Sequence, residues 1–569
     1  MNKVDKVFML LIRIIFTVMA LYLFWISIVG TTVSYPVQID DNLTNVTVQR
    51  FYLPDTALTL LLTCLITASI SLIYAKLHKN SIKTRQVKLE YIYLVYFAIG
   101  LFFTLSTQYK PISDPGKVMK VAEQILEGNF AEFSSQEGYM YRCPYQNGLV
   151  LIDAFLLILF GEKAFVAYQI LNLISCVVNI EMIGRIATLS FSNEKIGYYT
   201  RILLLLFPGL FFYITYNYGT LPSMACITIA IDQVIHFEKD YRKRRIVFAA
   251  CLTGLAYVLK MNSVIILTAM IIFLFRDLLF RKGKKAYTAV MIFSLLLGLV
   301  VFRKGVDFIT ESITHIPTAE GMPMLNYILM TTAGDGTYNG TTVNVFREAG
   351  FDTPKSKEMA IAGLRQTYQY YRDNKGTFTH WLLHKIVLQW NDPSFESFMI
   401  NTGRGNAVQF ESFYYSLFYG GLRQILTFLL NIAHSTILLG AVFMGLLYNR
   451  NNKEEFLHPA LIAVGGFAFH IIWEAAAHYV VVYYWFLIPC AIAGYRAFAK
   501  SIMKLQTAVH MHRSVDKFAL GKIICLIAAT MCITLGSGTD FVRNHFSFAD
   551  SAETISAYHE SVEQNLSSN

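Results

Sequence analysis

The sequence predicts an all-α protein that crosses a membrane about thirteen times, and three observations lead to that prediction. Hydrophobic residues make up 55% of the 569 positions and charged residues only 15%, which is too apolar for a soluble chain of this length. The apolar runs are continuous rather than alternating, and many reach the roughly 20 residues that a helix needs to cross a hydrocarbon core. Lysine and arginine cluster in the short loops between these runs.

The basic clusters orient the chain. The first apolar run, residues 7–29, is too long for a signal peptide and lacks a small-residue cleavage site, so we interpret it as a span that starts on the cytoplasmic side. Four basic clusters then fall inside, as the positive-inside rule requires. We therefore attribute the net charge of +10 to orientation in a cell membrane and expect no nucleic-acid partner. The predicted spans lie near residues 8–30, 56–75, 91–107, 164–189, 196–216, 221–237, 246–259, 262–280, 286–303, 420–447, 456–474, 479–498 and 518–536.

The longer polar segments are predicted to lie on the outer side. The apolar run 148–160 is too short to span, because about thirteen helical residues rise only about 20 Å, so we interpret it as a re-entrant or interfacial helix. Residues 108–147 form a first outer loop and residues 304–419 a large outer loop, which is usually functional or a small subdomain when it is this long. The tail 537–569 lies outside as well. All of these segments belong to one membrane domain, residues 1–569.

The tripeptide Ser113-Asp114-Pro115 opens the first outer loop. A carboxylate at the rim of a membrane bundle costs free energy, so it usually performs chemistry or coordinates a ligand. The alternative is that Asp114 is the N-cap of the helix that follows, and the two roles are compatible. One face of that amphipathic helix is marked by Val118, Val121, Ala122, Ile125 and Leu126.

Three further charged residues lie at the outer ends of predicted spans. Lys260 is in a tight turn, where it either extends towards water or binds the phosphate of a lipid at the membrane rim. Glu474 and His478 are four residues apart, so we expect a helix to place them on one face, close enough to pair. Such a pair either stabilises the bundle or, because buried acids in membranes are usually functional, belongs to the site.

Two polar motifs offer groups that suit sugar or phosphate binding. Arg142, Tyr145, Gln146 and Asn147 precede the short helix and supply hydrogen-bond donors and aromatic faces. Their alternative role is an ordinary aromatic belt at the membrane interface. The motif that begins at Trp390 ends an amphipathic part of the large loop, and its alternative role is a turn before another interfacial segment.

The motifs that the sequence lacks narrow the reaction class. It has no glycine-rich phosphate loop, no dinucleotide fingerprint and no zinc-protease or serine-hydrolase motif. The inner loops are too short for a nucleotide site, and nucleotide donors are scarce outside. A transferase on that side therefore needs a donor carried by the membrane. No cofactor is indicated, and a divalent cation is left open.

Six short motifs follow one another along the chain, each in an outer loop or at the outer end of a span. They are Ser113-Asp114-Pro115, residues 141–148, Tyr216-Asn217-Tyr218, Leu259-Lys260-Met261-Asn262, residues 384–392, and residues 473–479. Their order resembles that of the GT-C superfamily of polytopic glycosyltransferases. The similarity is greatest to bacterial relatives of the protein O-mannosyltransferases, glycosyltransferase family 39, and of the lipid A aminoarabinose transferase. The resemblance implies a GT-C-like bundle with its active site on the outer face.

The resemblance also implies the chemistry. The expected reaction is inverting transfer of a sugar from a polyprenyl-phosphate donor to a glycan, lipid or protein acceptor, with Asp114 as general base. Lys260, with Arg142 or His478, is expected to bind the donor phosphate. Asn217 stands where relatives often carry a second acid, which leaves metal dependence open, and His478 stands where arginine is common. The expected substrate-binding residues are Tyr145, Gln146, Asn147, Tyr216, Asn217, Asn262, Trp390, Glu474 and Tyr479.

Other functions use similar features. A polymerase or ligase of surface polysaccharide also has a large outer loop and acts on lipid-linked glycans. A transporter or flippase of lipid-linked sugars favours paired half-helices and an internal repeat, and the sequence has no fixed-period repeat. A partner subunit without activity is a third alternative, and the presence of both Asp114 and Lys260 argues against it.

Overall fold

The computed structural model describes residues 3–39, 46–54, 57–79, 88–280, 284–402, 409–448 and 457–510. The predicted span 518–536 and the tail 537–569 lie outside these residues. Helices dominate the described chain, so the all-α prediction is confirmed, although one two-stranded hairpin interrupts it.

The helices follow the apolar runs, and most bounds agree with the prediction to within a few residues. The first third of the chain contains α1 (Lys3–Val29), β1 (Gly30–Ile39), β2 (Val46–Pro54), α2 (Ala57–Lys79), α3 (Leu89–Thr107), α4 (Ser113–Leu126), α5 (Ala131–Ser134), α6 (Tyr139–Arg142) and α7 (Asn147–Phe160). The middle contains α8 (Ala164–Phe191), α9 (Glu194–Leu205), α10 (Pro208–Phe212), α11 (Thr220–Asp240), α12 (Lys243–Leu259), α13 (Ser263–Phe280) and α14 (Lys285–Thr314). The last part contains α15 (Met324–Ala333), α16 (Thr341–Glu348), α17 (Thr353–Asp373), α18 (Thr377–Trp390), α19 (Ser397–Ile400), α20 (Glu411–Phe418), α21 (Gly421–Leu447), α22 (Leu457–Ile472), α23 (Ala477–Tyr484) and α24 (Leu487–His510).

Six of the described helices are long and apolar enough to cross a membrane: α1, α3, α11, α13, α14 and α21. The number rises to eight if each of two bent helix pairs is one span. Helices α2 and α22 add shorter apolar stretches, Leu58–Tyr74 and His458–Ile472. These helices support a membrane protein, and the count of about thirteen spans stays a prediction.

Two predicted spans are not continuous helices. The span predicted at 196–216 bends by 55° between α9 and α10, and the span predicted at 479–498 bends by 47° between α23 and α24. Proline explains both breaks, because its ring removes one helical hydrogen bond and disfavours helix in the residues before it. Pro208 begins α10, and Pro489 lies in the first turn of α24.

The hairpin was not anticipated. Its strands pair antiparallel, with Gly30 opposite Pro54. Backbone bonds attach it to the segment after α18, because the Thr32 N–H donates to the carbonyl of Asn391 at 3.0 Å. The buried Arg423 adds a bond of 2.6 Å to the Ser34 carbonyl. The hairpin is therefore an integral wall at one end of the bundle.

Contacts sort the helix ends into two groups. Asp5 and Arg276 join the start of α1 to the end of α13 at 2.8 Å, on the side of the basic clusters. The opposite group contains the end of α3, the start of α4, the turn 260–262 between α12 and α13, and the segment 473–476 between α22 and α23. We call this group the Asp114 end.

Helices also fill most of the region predicted as the large loop. Residues 304–419 begin with the last turns of α14 and continue through α15 to α20. Asn326 on α15 donates to Ser356 on α17 at 2.9 Å, and both side chains are fully buried. The region is thus a small helical subdomain placed against the Asp114 end.

Candidate functional site

Asp114 lies in the first turn of α4. The N-cap of that helix is Ile112 and no side chain caps it, so the interpretation of Asp114 as an N-cap is wrong. The position still favours a carboxylate, because the positive end of the helix dipole stabilises negative charge. Lys117 places its Nζ 3.5 Å from Oδ1, and the Asp114 side chain remains 44% exposed. The predicted apolar face of α4 is buried as expected, except for Leu126, which is 47% exposed.

Tyr218 connects Asp114 to Lys260. Its hydroxyl donates to Oδ2 of Asp114 at 3.3 Å and accepts from Nε2 of Gln146 at 2.5 Å. The Nζ of Lys260 lies 3.5 Å from the centroid of the same ring, a cation–π distance. The acid and the cation predicted from separate motifs therefore meet on the two parts of one tyrosine.

Lys260 occupies an unusual environment for a cation. It terminates α12 in an extended conformation, half-buried between Tyr218 and, at 6.0 Å, the ring of Tyr479. Burial lowers the pKa of Lys260 to about 7, although the charges of Asp114 and Glu474 act in the opposite direction. The Nζ of Lys260 thus lies against two aromatic rings at the polar end of a cleft, a position from which it can contact a ligand.

A cleft begins at Lys260 and is partly open to solvent; the space in and above it, open solvent included, is about 370 Å³. One end is polar and carries the side chains of Lys260, Asn262, His478 and Tyr479. The remainder runs between α11, α13 and α23. Its lining there is largely apolar and comprises Thr220, Ser223, Met224, Ile227, Ser263, Ile266 and Val482. A ligand with a charged head and a hydrocarbon tail matches this division.

Glu474 and His478 do not pair with each other. We expected one helix to carry both, but α22 ends at Ile472 and α23 begins only at Ala477, so the segment 473–476 between them is not helical. The subdomain holds this segment: the Nε2 of Gln389 donates to the Glu474 carbonyl at 2.9 Å, and the Ala475 N–H donates to the Gly336 carbonyl at 2.7 Å. Burial raises the pKa of Glu474 to about 7, and the charge of Asp114 acts in the same direction.

His478 pairs instead with Glu396 from the segment after α18. Its Nδ1 lies 2.5 Å from Oε2 of Glu396, whose side chain is 1% exposed. Arg50 of β2 contacts the other oxygen of that carboxylate, at 3.2 Å from Nε and 2.9 Å from Nη2. Although burial opposes it, the charges of Arg50 and His478 hold the pKa of Glu396 well below its ordinary value.

Five other predicted residues lie beside these side chains. Gln146 is bound to Tyr218, as described above. Tyr145 places its hydroxyl 3.2 Å from that of Tyr327, whose ring stacks on Trp473 at 5.2 Å. The ring of Tyr216 meets His478 edge-on at 5.9 Å. Asn262 and Tyr479 line the polar end of the cleft.

The remaining predicted residues have packing roles or point elsewhere. Trp390 is 1% exposed and packs against Phe467, inside the core. Asn217 is also 1% exposed and donates to the carbonyl of Phe165 at 3.1 Å. Asn147 is 2% exposed at the start of α7. Arg142 turns back to the carbonyl of Gly138 at 3.4 Å, and its charge acts on Glu137 at the exposed rim.

Three residues of the site, Tyr218, Glu396 and Arg50, were not predicted from the sequence. Tyr218 is part of the motif Tyr216-Asn217-Tyr218, and its position before Gly219 in a short turn distinguishes it. No local signal identified the other two, because Arg50 and Glu396 are 346 positions apart.

A divalent cation has few protein ligands available here. The described part of the chain contains no group of three or more His, Cys, Asp or Glu side chains that could hold a metal ion. Mg²⁺ is commonly held by one or two carboxylates together with substrate phosphates, so Asp114 and Glu474 are the residues that would hold it. A cation bound there would neutralise part of the phosphate charge.

No protein-family model matches this chain, and no curated protein matches it either. The function is therefore inferred from the site itself.

Proposed function

We propose that this protein is a membrane glycosyltransferase that moves a sugar from a polyprenyl-phosphate donor to an acceptor hydroxyl, with inversion, on the outer face of the cell membrane. The observation that carries the proposal is the convergence of Asp114 and Lys260 on Tyr218. Glycosyl transfer from a lipid phosphate needs a base for the acceptor proton and a cation for the leaving phosphate, close to each other. The hydroxyl of Tyr218 contacts the acid, Asp114, and its ring contacts the cation, Lys260.

The cleft supports a lipid-linked donor over a soluble one. Its polar end at Lys260 suits the phosphate, and its apolar part along α11 and α13 suits a prenyl chain. The half-buried Lys260 is costly to keep charged unless an anion arrives, so a phosphate is its natural counter-charge. A nucleotide sugar would leave the apolar part of the cleft unused.

The proposed step is a single displacement. The acceptor oxygen forms a bond to the anomeric carbon, and the bond from that carbon to the phosphate oxygen breaks. Asp114 takes the proton of the attacking hydroxyl, and the electron pair of the broken bond leaves on polyprenyl phosphate. Lys260 stabilises the charge that develops there, and His478 contributes from the adjacent side. Attack from the face opposite the phosphate inverts the anomeric configuration.

The experiment supplies labelled donors to the protein in lipid vesicles. Polyprenyl-phosphate glucose, mannose and galactose, each isotope-labelled in the sugar, are incubated with envelope glycan, lipid and protein fractions as acceptors. We expect one donor to lose its label to an acceptor with release of polyprenyl phosphate. Mass spectrometry of surface glycans from cells with and without the protein identifies the sugar independently.

Variants make the test specific to the site. Asp114→Asn should abolish transfer while the donor still binds, because the amide cannot accept the proton. Asp373→Asn is the matched control, since Asp373 is exposed and pairs with the neighbouring Arg372. Donor carried across the vesicle membrane without transfer would show a flippase, growth of a repeating chain would show a polymerase, and unchanged transfer by Asp114→Asn would exclude the proposed base.

A further inference from the structure

We infer that Glu396 and Arg50 are positioning residues that orient His478 as a phosphate contact at the polar end of the cleft. This inference rests on the proposed function, because it assigns a role to His478 in binding the donor phosphate. Neither Glu396 nor Arg50 belongs to a motif in the sequence, and neither lines the cleft.

The two carboxylate oxygens of Glu396 have separate partners. Oε1 accepts from the guanidinium of Arg50, and Oε2 lies 2.5 Å from Nδ1 of His478. A carboxylate that accepts from Nδ1 fixes the tautomer and the ring orientation of a histidine. The ring nitrogen that remains, Nε2, is therefore the one available to a ligand in the cleft that His478 lines.

The segment that carries Glu396 is built to hold it in place. Glu396 has a left-handed backbone with φ of 60°, which is uncommon for a residue other than glycine. Asp392 stabilises this turn, because its carboxylate accepts from the backbone N–H of Ser394 at 2.9 Å and from that of Glu396 at 3.1 Å. Strained conformations persist where the surroundings determine them, often at functional sites.

Nε2 donates a hydrogen bond to a phosphate oxygen only when both ring nitrogens of His478 carry a proton. Arg50 and Glu396 cancel each other, so a protonated His478 leaves one positive charge at the cleft, beside Lys260. The phosphate of a bound ligand stabilises that charge. Other titratable groups act on His478 or on Glu396: Tyr216, Tyr479 and His470 face the histidine, and Glu474, Asp392 and Tyr213 act on the glutamate. Lys260 lines the same cleft as His478.

The test measures binding of farnesyl phosphate and of farnesol, its phosphate-free counterpart, to the full chain in nanodiscs. His478→Gln should weaken farnesyl phosphate binding about tenfold to a hundredfold, the usual effect of losing a hydrogen bond to a charged group, and leave farnesol binding unchanged. Glu396→Gln should weaken it several-fold. In the double variant, Glu396→Gln should add nothing to His478→Gln, because it acts through that histidine.

The controls separate this inference from the proposed function. Glu137→Gln removes an exposed Glu–Arg pair away from the cleft and should leave both ligands unaffected. If Glu396→Gln does not fold, Arg50→Met enters the same cycle with the same expected non-additivity. Additive losses, or no loss from His478→Gln while Lys260→Met weakens binding, would overturn the inference alone. Equal binding of farnesyl phosphate and farnesol, insensitive to Lys260→Met, would overturn the proposed function.

Discussion

Binding of a polyprenyl phosphate is expected to weaken as the pH rises through 7. Burial lowers the pKa of Lys260 to about 7 and raises the pKa of Glu474 to about 7. Below this pH the lysine is charged and the glutamic acid is neutral, so the cleft attracts an anion. Above it the lysine loses its charge and Glu474 gains one, so the same cleft repels an anion.

The magnitude follows from the fraction of charged lysine. With a pKa of about 7, Lys260 is about nine-tenths protonated at pH 6 and about one-tenth protonated at pH 8. Affinity that depends on this ammonium should therefore fall about tenfold, and ionisation of Glu474 adds to the loss. The charge of the ligand favours binding at higher pH, because a phosphate monoester has its second pKa near 6 and is dianionic above that pH. If Lys260 had the pKa of an ordinary exposed lysine, the affinity for the phosphate would stay constant or increase from pH 6 to pH 8.

The assay is a titration of farnesyl phosphate into the protein in nanodiscs at pH 6, 7 and 8 and constant ionic strength, with farnesol as reference. Lys260→Arg should remove most of the pH dependence, because a guanidinium stays charged throughout. Lys304→Met is the matched control, since Lys304 is 79% exposed on α14. An affinity for the wild-type protein that is constant or increases from pH 6 to pH 8 would refute the reasoning.

Three further changes have expected outcomes. Tyr218→Phe keeps the ring under the lysine but loses the hydroxyl at Asp114, so transfer should fall about tenfold while Kd for farnesyl phosphate changes less than about twofold. Gly219→Ala has φ of 74° and would place its Cβ 2.1 Å from a carbonyl of α12, so it should lower the stability by roughly 2 kcal/mol or more in thermal unfolding. Gly305→Ala is the control: its Cβ would meet open space, so it should leave the stability unchanged. Arg423→Met removes bonds to two buried carbonyls, and we expect a loss of roughly 2–4 kcal/mol and faster proteolysis of the hairpin.

Most helix bounds could be predicted because the length of an apolar run sets the length of a helix. The break at residues 473–476 could not, since Glu474 and the three alanines that follow it are good helix formers. The subdomain supplies hydrogen bonds to the backbone of this segment: Lys385 donates to the carbonyl of Trp473, and Gln389 donates to the carbonyl of Glu474. The hairpin 30–54 was missed for a similar reason, because its pairing and docking depend on contacts distant in the sequence.

The candidate site was partly predictable for a different physical reason. A carboxylate or an ammonium at the end of an apolar run is costly, and that cost made Asp114, Lys260 and Glu474 candidates, while their roles were predicted from the family resemblance. Neutral residues carry no such cost. Trp390 and Asn217 were predicted from their motifs and the family resemblance, and the structure buries both side chains. The partners of His478 depend on which loops meet in space, and the sequence does not encode that locally.

Under the proposed function, the non-helical segment 473–476 would connect the donor cleft to the subdomain. A continuous helix from α22 to α23 would have satisfied its own backbone groups. Because the segment is instead bound to Gly336, Lys385 and Gln389, the position of Glu474 depends on the subdomain that we expect to hold the acceptor. Glu474 in turn acts on the charge of Lys260 in the donor cleft. We therefore expect that a displacement of the subdomain by a bound acceptor would alter the electrostatics at Lys260 through the charge of Glu474.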